Sequence, residues 1–371
     1  MSIKQSMELE KEMKVVCFFS KVTIKEWEVQ SVKEMMEKGA SWEKIINYAD
    51  RNRTLYLVLH NFFQYKLIDL IPGWLVKIIQ DSYICNEIRN DEKLKELKYL
   101  LMALEERGVK IVPVKGAYLI DEIYDRRIRT TNDLDALILR KDIPVIIKVM
   151  KELGYTDDYY NFKKKCFEPV SSQKKMLYKL KMYNLLPFAK EGALGNIIFF
   201  DLSHSLDFSL NSNVVEEMIN SAQLINGRYQ LLPEHFLLHM CCHHYREASH
   251  TEWIKLGKDL NLMKFCDVRE FVIKRTDSVI LKKMIQFARK YSLEKAVYFT
   301  FYVLKEIYSD GYEDDVLDNL NILDKNFVFM FGENEYNIAK KRKKSFWRSF
   351  FDDNNMDEVD ERPGYERIID D

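Results

Sequence analysis

Apolar residues recur at helical spacing from about Val32 to Arg107, most clearly in NDEKLKELKYLLMALEERG. Asn90 or Asp91 is suited to begin that helix, and Gly108 to end it. The pattern predicts an N-terminal helical region over residues 1–107. Four leucines at i, i+3, i+7 and i+10 form one face of the helix: Leu94, Leu97, Leu101 and Leu104.

The pattern changes over residues 108–210, where short apolar runs alternate with helical ones. VKIVPV, DLDALIL and NIIFFDLSHSL are predicted strands, and AYLIDEIYD and IPVIIKVMKELG are predicted helices. Pro113 cannot donate to a ladder, so we expect it near a strand end or at the edge of the sheet. The chain is therefore predicted to be an α+β protein with a small mixed sheet flanked by helical regions.

Helical patterns return in the C-terminal part of the chain, which predicts a second helical region over residues 211–345. This region ends on the basic run KKRKK, Lys340 to Lys344. Residues 346–371 are acidic with few core-forming residues, and they are predicted to be a mobile tail. The basic run can pair with that tail, so it is weak support for nucleic-acid binding.

Composition narrows the class of protein. The chain has 371 residues, 47% of them hydrophobic, and a formal net charge of -1. This charge excludes a protein that binds polyanions with a surface that is basic all over, but it does not exclude a local basic patch. Six cysteines without a CxxC pair do not suggest a disulfide framework or a thiolate zinc site. Without a signal-peptide pattern or an apolar run of about 20 residues, we expect a soluble cytoplasmic protein with no membrane contact.

Two carboxylates stand out in a predicted buried strand. Asp133 and Asp135 are two residues apart, so they face the same side of the strand. Asp201 lies in another predicted strand; if the two strands are neighbours, three carboxylates converge. Carboxylate oxygens are the ligands that Mg²⁺ prefers, and two such ions can support phosphoryl or nucleotidyl displacement. The alternative is an exposed strand end with solvated carboxylates.

The stretch VPVKGAYLIDEIYDRRIRTTNDLDALI resembles the core motif of the bacterial nucleotidyltransferase-like family of the polymerase-beta superfamily. The shared features are a KG pair, a helix with an aromatic residue, an Arg, and D-hydrophobic-D before an apolar strand. LLPEHFLLHMCCHHYREASHTEWIKLGKDLNLM resembles the family's downstream helix. With the Asp201 strand, the resemblance covers roughly Val109 to Met263.

The resemblance implies roles for individual residues. Lys115 and Gly116 stand where most of the superfamily has Gly-Ser, the turn that holds the triphosphate. Asp133 and Asp135 match the metal-binding pair, and Asp201 matches the third carboxylate, which often serves as the base for the acceptor hydroxyl.

Several of these assignments have alternatives in the sequence. Lys115 is either a phosphate ligand or a surface lysine, and Arg129 either contacts phosphate or pairs with Asp133. Asp201 is preferred as the third carboxylate for its apolar strand context, although Asp157 and Asp207 are also available.

Five of the seven histidines lie between His235 and His250. His235, His239, His243, Arg246 and His250 form one helical stripe, which can face nucleotide phosphates, be solvated or structurally bonded, or bind a metal. His243 matches the family position and is the predicted nucleotide-binding residue. Asp259, in the next helix, either supports a residue of the cleft or is a surface charge.

The sequence therefore predicts an Mg²⁺-dependent nucleotidyltransferase. It would move a nucleoside monophosphate from an NTP such as ATP to an acceptor hydroxyl or phosphate and release pyrophosphate, with two Mg²⁺ ions expected. The acceptor is open: a small molecule, a peptide or protein side chain, or an RNA end. The rival hypotheses are a non-catalytic nucleotide-binding module and a metal-binding helical regulator.

Overall fold

The N-terminal region is helical. The computed structural model describes residues 9–332 and 339–352. Side chains of the first four helices pack into the larger of two main hydrophobic cores, with Phe19 and Phe62 in edge contact at its centre. The helices described here are α1 (Lys11–Phe19), α2 (Glu26–Glu37), α3 (Trp42–Arg51), α4 (Leu55–Gln64) and α5 (Gly73–Glu105).

Helix α5 is longer than its leucine stripe predicts. It begins at Gly73, so the prediction that Asn90 or Asp91 begins it is wrong. Asn90 is buried in the helix interior, and its side chain donates to the backbone carbonyls of Arg126 and Arg129 instead of capping a helix. The predicted end is confirmed, because Gly108 has φ +69° directly after the last turn, a conformation that glycine adopts without cost.

A four-stranded mixed sheet follows, in the order β1-β2-β6-β5. The two central strands run parallel, and both outer strands run antiparallel to their neighbours. Pro113 lies in an edge strand, as expected. The strands are β1 (Val112–Val114), β2 (Asp133–Leu137), β5 (Phe188–Glu191) and β6 (Ile197–Ser203), with helices α6 (Gly116–Glu122) and α7 (Ile143–Glu152) between β1 and β5. The small mixed sheet between helical regions confirms the predicted α+β class.

The two faces of the sheet differ in what covers them. Leu134, Ala136 and Phe200 belong to a second core formed with α5 and α7, and the leucine stripe of α5 packs there as predicted. The other face carries Asp133, Asp135 and Asp201 together with Leu137, which packs into the larger core. The carboxylates therefore lie on the side of the sheet that faces the C-terminal helices.

An extra segment lies between α7 and β5. It comprises a hairpin of β3 (Tyr159–Asn161) and β4 (Cys166–Glu168), followed by helix α8 (Ser172–Lys181), none of whose side chains is fully buried. Asp157 and Asp158, at the base of the hairpin, both approach the ammonium of Lys175, at 3.2 and 3.8 Å. These ion pairs connect the helix to the hairpin.

The C-terminal region is again helical. It is centred on the buried helix α10, which packs against α13 and α14. Over the part of the chain that the structure describes, no helix is both long and apolar enough to cross a bilayer. The elements are α9 (Asn213–Asn220), β7 (Gln223–Ile225), β8 (Arg228–Gln230), α10 (Pro233–Ser249), α11 (Thr251–Lys255), α12 (Leu262–Arg275), α13 (Ser278–Lys290), α14 (Glu294–Ile307), α15 (Tyr312–Leu320), β9 (Met330–Phe331), β10 (Lys340–Lys341) and α16 (Phe346–Phe351).

The last described segment is packed onto the body of the protein. Residues 346–351, which we predicted to belong to the tail, form helix α16, and the carbonyl of Phe350 accepts a hydrogen bond from the buried Asn52 of α3. Arg342 of the basic run is buried and pairs with Asp259 at 2.8 Å. At least this residue of the run has a structural partner. Residues 353–371 of the predicted tail lie outside the described part of the chain.

Candidate functional site

The three predicted carboxylates lie together on one face of the sheet. Strands β2 and β6 pair in parallel with Asp135 directly opposite Asp201, and Asp133 is opposite Phe199. Since side chains two residues apart share a face, Asp133, Asp135 and Asp201 all project to the same side. Asp135 is only 4% exposed, Asp201 is half-buried and Asp133 is exposed. The site thus runs from a buried carboxylate outward to solvent.

Lys115 is positioned beside these carboxylates by an unusual turn. It precedes α6 with φ 49° and ψ -130°, a region that non-glycine residues seldom occupy and that costs about 1–3 kcal/mol. Its ammonium forms an ion pair with Asp135. The structure places Lys115 as the counter-ion of Asp135, and its predicted role as a phosphate ligand stays a prediction.

The electrostatics of the cluster are unbalanced. Burial lowers the pKa of Lys115, but Asp135, Asp133 and Asp201 outweigh it, so that the pKa is raised and the ammonium stays charged. Burial raises the pKa of Asp135 well above its usual range; Lys115 opposes this, while Asp133 and Asp201 add to it. Lys115 pairs directly with only one of the three carboxylates, and repulsion between them favours binding of a further cation.

Asp201 has a partner that sequence analysis missed. Asn184 is buried next to β6, and its side-chain amide donates to Asp201 Oδ1 at 2.8 Å. The other end of that amide, Oδ1 of Asn184, is buried without a hydrogen-bond partner within the described structure. Burial raises the pKa of Asp201, although Lys115 and the Asn184 hydrogen bond oppose it. Asn184 orients one oxygen of Asp201 and leaves the other available to a ligand.

Helix α10 faces the cluster with buried histidines. His243 accepts a hydrogen bond from Arg246 at its Nδ1, at 2.9 Å, and its Nε2 lies 3.4 Å from Glu247. Burial lowers the pKa values of His239 and His243 well below the usual range, and the charge of Lys115 lowers them further. Both histidines are neutral and close enough to the site to sense Lys115. His243 is bonded to its neighbours, whereas Nδ1 of His239 is buried without a hydrogen-bond partner within the described structure. Because His239 and His243 are both buried, the structure excludes the alternative that the histidine stripe is a solvated face at these two residues.

His204 and the two alternative third carboxylates, Asp157 and Asp207, have partners of their own. His204 accepts from Arg140 at 3.2 Å, and burial and that arginine lower its pKa to about 4. Asp157 pairs with Lys175, and Asp207 accepts from Ser209. Asp201 is therefore the candidate that the structure brings to Asp135.

Arg129 is buried and fully engaged within the protein. Its guanidinium forms two parallel hydrogen bonds with Asp267, at 2.7 and 3.0 Å, and a third with Thr131. A Cβ on Gly116 would lie 2.6 Å from Nη1 of Arg129. Glycine is therefore required here so that the arginine can approach the start of α6. The predicted phosphate contact of Arg129 stays a prediction.

A polar face of α5 holds the chain that leads into β2. Asn86 and Asn90 donate to the carbonyls of residues 126–129, and the ammonium of Lys93 contacts the carbonyl of Thr131. Burial lowers the pKa of Lys93, while Asp133 opposes this. The i, i+4, i+7 spacing of these polar residues was a signal available in the sequence. Asp267, 138 residues from Arg129, had no such local signal.

The donor set fits Mg²⁺ in chemistry. Asp133, Asp135 and Asp201 supply hard oxygen ligands with an excess of negative charge. Within residues 9–332 and 339–352, no three His, Cys, Asp or Glu side chains are already gathered as a metal centre. Lys115 contacts Oδ1 of Asp135, so Mg²⁺ at that oxygen would have to displace the ammonium.

Comparison with known proteins places the chain in a family. Residues 38–309 match a family described as uncharacterised nucleotidyltransferases. The match extends beyond the stretch on which the resemblance was based and includes all four strands of the sheet. No curated protein and no solved structure matches the chain. Since the family match spans well over half of its length, the chain belongs to this uncharacterised nucleotidyltransferase family.

Proposed function

We propose that the protein transfers a nucleoside monophosphate from an NTP to an acceptor hydroxyl or phosphate with Mg²⁺ and releases pyrophosphate. The observation that carries this proposal is the pairing of Asp135 with Asp201 across parallel strands, with Asp133 on the same face and Lys115 in contact with Asp135. Family membership supports nucleotidyl transfer in general.

The chemistry assigns a task to each carboxylate. The acceptor oxygen forms a bond to the α-phosphorus of the NTP, and the bond to the bridging oxygen breaks, with its electron pair leaving in pyrophosphate. Asp133, Asp135 and Asp201 would hold two Mg²⁺ ions, which would supply positive charge for the triphosphate and the acceptor oxygen. Asp201 completes the metal site or takes the acceptor's proton.

Lys115 exchanges one anionic partner for another in this proposal. Without a ligand it neutralises Asp135. When a cation binds Asp135, the ammonium is released toward the phosphates, which restores the phosphate-ligand role expected from its place in the KG turn. Gly116 and His243 complete the nucleotide side of the site. Arg129 is held by Asp267 and packs against Gly116 of the KG turn.

Binding measurements test the metal assignment without an acceptor. In the double variant Asp133→Asn, Asp135→Asn, we expect Mg²⁺-dependent NTP binding, followed by calorimetry, to be lost. A matched control, Asp69→Asn with Asp81→Asn, changes two exposed aspartates and should bind like the wild type. Undiminished binding by the first variant would reject the assignment.

The role of Asp201 is tested by separating binding from transfer. Wild-type protein is incubated with each labelled NTP, Mg²⁺ and a lysate of the host to find a labelled product. Asp201→Asn should then bind Mg²⁺–NTP nearly as well as the wild type but transfer at a rate lower by about 10²-fold or more. A wild-type rate of pyrophosphate release in this variant would exclude Asp201 as the base.

The Lys115–Asp135 ion pair also supports a second candidate, a nucleotide-binding module without turnover. In that case the ammonium would stay on Asp135, and NTP binding would not depend on Mg²⁺. The same calorimetry, run with Mg²⁺ and with a chelator, distinguishes the two candidates. Equal affinity under both conditions would favour the non-catalytic module.

A further inference from the structure

The segment between α7 and β5 combines lysines with exposed aromatic side chains. In residues 159–181, here called the lysine–aromatic segment, Glu168 is the only acidic residue. Lys164 pairs with Glu168, and Lys175 pairs with the aspartates at the hairpin base. Within the described structure, the other five lysines have no carboxylate partner: Lys163, Lys165, Lys174, Lys179 and Lys181. This local patch is strongly positive although the chain as a whole is nearly neutral.

The aromatic residues of the segment form a row that leads to the carboxylates. Tyr160 contacts both Phe162 and Phe167, with ring centroids 5.0 Å apart in each case. Phe162 is 66% exposed, and its ring centroid lies 6.4 Å from that of Phe199. Phe199 is the partner of Asp133 in the sheet and precedes Asp201 by two residues on the same face. The row therefore ends at the proposed metal-binding residues.

Helix α8 also lies near the site. Burial raises the pKa of its Tyr178, and the charge of Asp201 raises it further, which places this tyrosine within electrostatic reach of that carboxylate. Met176 and Leu180 of the helix are exposed. A flexible polyanion with flat apolar groups is complementary to such a surface, because its phosphates meet the lysines while its bases stack on the rings.

We propose that the lysine–aromatic segment binds a single-stranded polynucleotide whose 3′-hydroxyl end is the acceptor. This inference rests on the proposed function, because it names the acceptor class for that site. An acidic peptide would satisfy the lysines but would make no use of the aromatic row, at which Phe162 is exposed. The polynucleotide lies along that row, so its 3′-hydroxyl end lies where the carboxylates act on the acceptor oxygen.

Binding of the single-stranded polynucleotide is measured without NTP or Mg²⁺, so the result does not depend on turnover. The probe is a fluorescein-labelled oligoadenylate RNA of about 12 nucleotides, followed by anisotropy over a range of salt concentrations. The comparison ligands are a DNA strand of the same sequence, an RNA duplex and poly-glutamate. We expect either single strand to bind more tightly than the duplex or poly-glutamate, and RNA to bind more tightly than DNA if the 2′-hydroxyl is read.

Two variants with matched controls locate the binding surface. Lys163→Ala with Lys165→Ala should weaken binding and reduce the slope of log K against log salt by about 1.4, since each phosphate contact contributes roughly 0.7. Lys282→Ala with Lys283→Ala, on α13, removes two exposed lysines and should change neither quantity. Phe162→Ala should weaken strand binding at least about fivefold, whereas Trp74→Ala, which removes an aromatic side chain of equal exposure at 65%, should not.

Three results would overturn this inference. The first is no single-strand binding by the wild type. The second is poly-glutamate binding as tight as RNA binding. The third is an equal loss of NTP binding and strand binding in Phe162→Ala, which would assign the aromatic row to the base of the NTP. Failure of the proposed function has a different signature, because strand binding would persist while Mg²⁺-dependent NTP binding or transfer would be absent.

Discussion

Single residues in this site carry backbone conformations that their side chains do not favour. Lys115 adopts a positive φ at the start of α6, a backbone conformation that favours glycine. The following residue has to be glycine, because the guanidinium of Arg129 fills the space of a Cβ. A lysine occupies this position in spite of the backbone strain, and its side chain forms the ion pair with Asp135.

Two substitutions at Lys115 separate backbone strain from charge. Lys115→Gly and Lys115→Ala both remove the ammonium, but only glycine relieves the positive φ. We expect the glycine variant to be more stable to urea than the alanine variant by about 1–2 kcal/mol. Both should weaken NTP binding more than nucleoside binding, as calorimetry can show. Equal stability of the two variants would mean that the turn relaxes without the lysine.

At the scale of elements, the site depends on a helix that contributes no catalytic group. Helix α5 covers the back of the sheet with its leucines and holds the chain before β2 with Asn86, Asn90 and Lys93. That chain leads directly to Asp133. The position of the carboxylates is therefore set by contacts between a helix and a loop about 40 residues later in the sequence.

Removing this support should affect stability and nucleotide binding together. Asn86→Ala with Asn90→Ala leaves the carbonyls of Arg126 and Arg129 without these donors, and each unsatisfied buried group costs about 1–3 kcal/mol. We expect a clear decrease in the free energy of unfolding and weaker Mg²⁺–NTP binding. Gln80→Ala, an exposed change on the same helix, should be close to neutral. Unchanged NTP affinity in the double variant would limit the role of these asparagines to stability.

For the whole molecule, the sequence was informative where the signal is local. The leucine stripe of α5, the two-residue spacing of Asp133 and Asp135 and the strand of Asp201 followed from periodicity. Contacts between distant segments had no such signal, as with Arg129 and Asp267 or Asp259 and Arg342. The burial of α10 on nearly all sides was also missed, because its histidines resemble a polar stripe until other helices surround them.

Those buried histidines make the stability of the whole molecule depend on pH. Burial lowers the pKa of His239, His243 and His244 in the folded state, whereas in the unfolded chain they titrate near pH 6.5. Below that pH the unfolded state binds more protons, so the free energy of unfolding should fall as the pH is lowered from 7 to 5. The slope is up to about 1.4 kcal/mol per pH unit for each histidine.

Urea unfolding of His244→Leu at several pH values checks this dependence. The variant removes one titrating group from the core, so its stability should fall less steeply than that of the wild type between pH 7 and 5. Between pH 7 and 9 the two profiles should run parallel. The buried carboxylates Asp135 and Asp201, whose pKa values are raised, act in the opposite direction and are common to both proteins. Parallel profiles below pH 6.5 would contradict the assignment.

Residues 339–352 pack onto the rest of the protein, so the folded protein extends beyond the residues that match the family. The family match ends at residue 309, but Asp259 needs Arg342 and Asn52 needs the carbonyl of Phe350. A polypeptide trimmed to the matched residues would keep every carboxylate of the site and still leave a buried charge unpaired, at a cost of about 3–5 kcal/mol. That is a large share of the 5–15 kcal/mol that stabilises a typical protein, so homology boundaries are a poor guide for preparing a minimal enzyme.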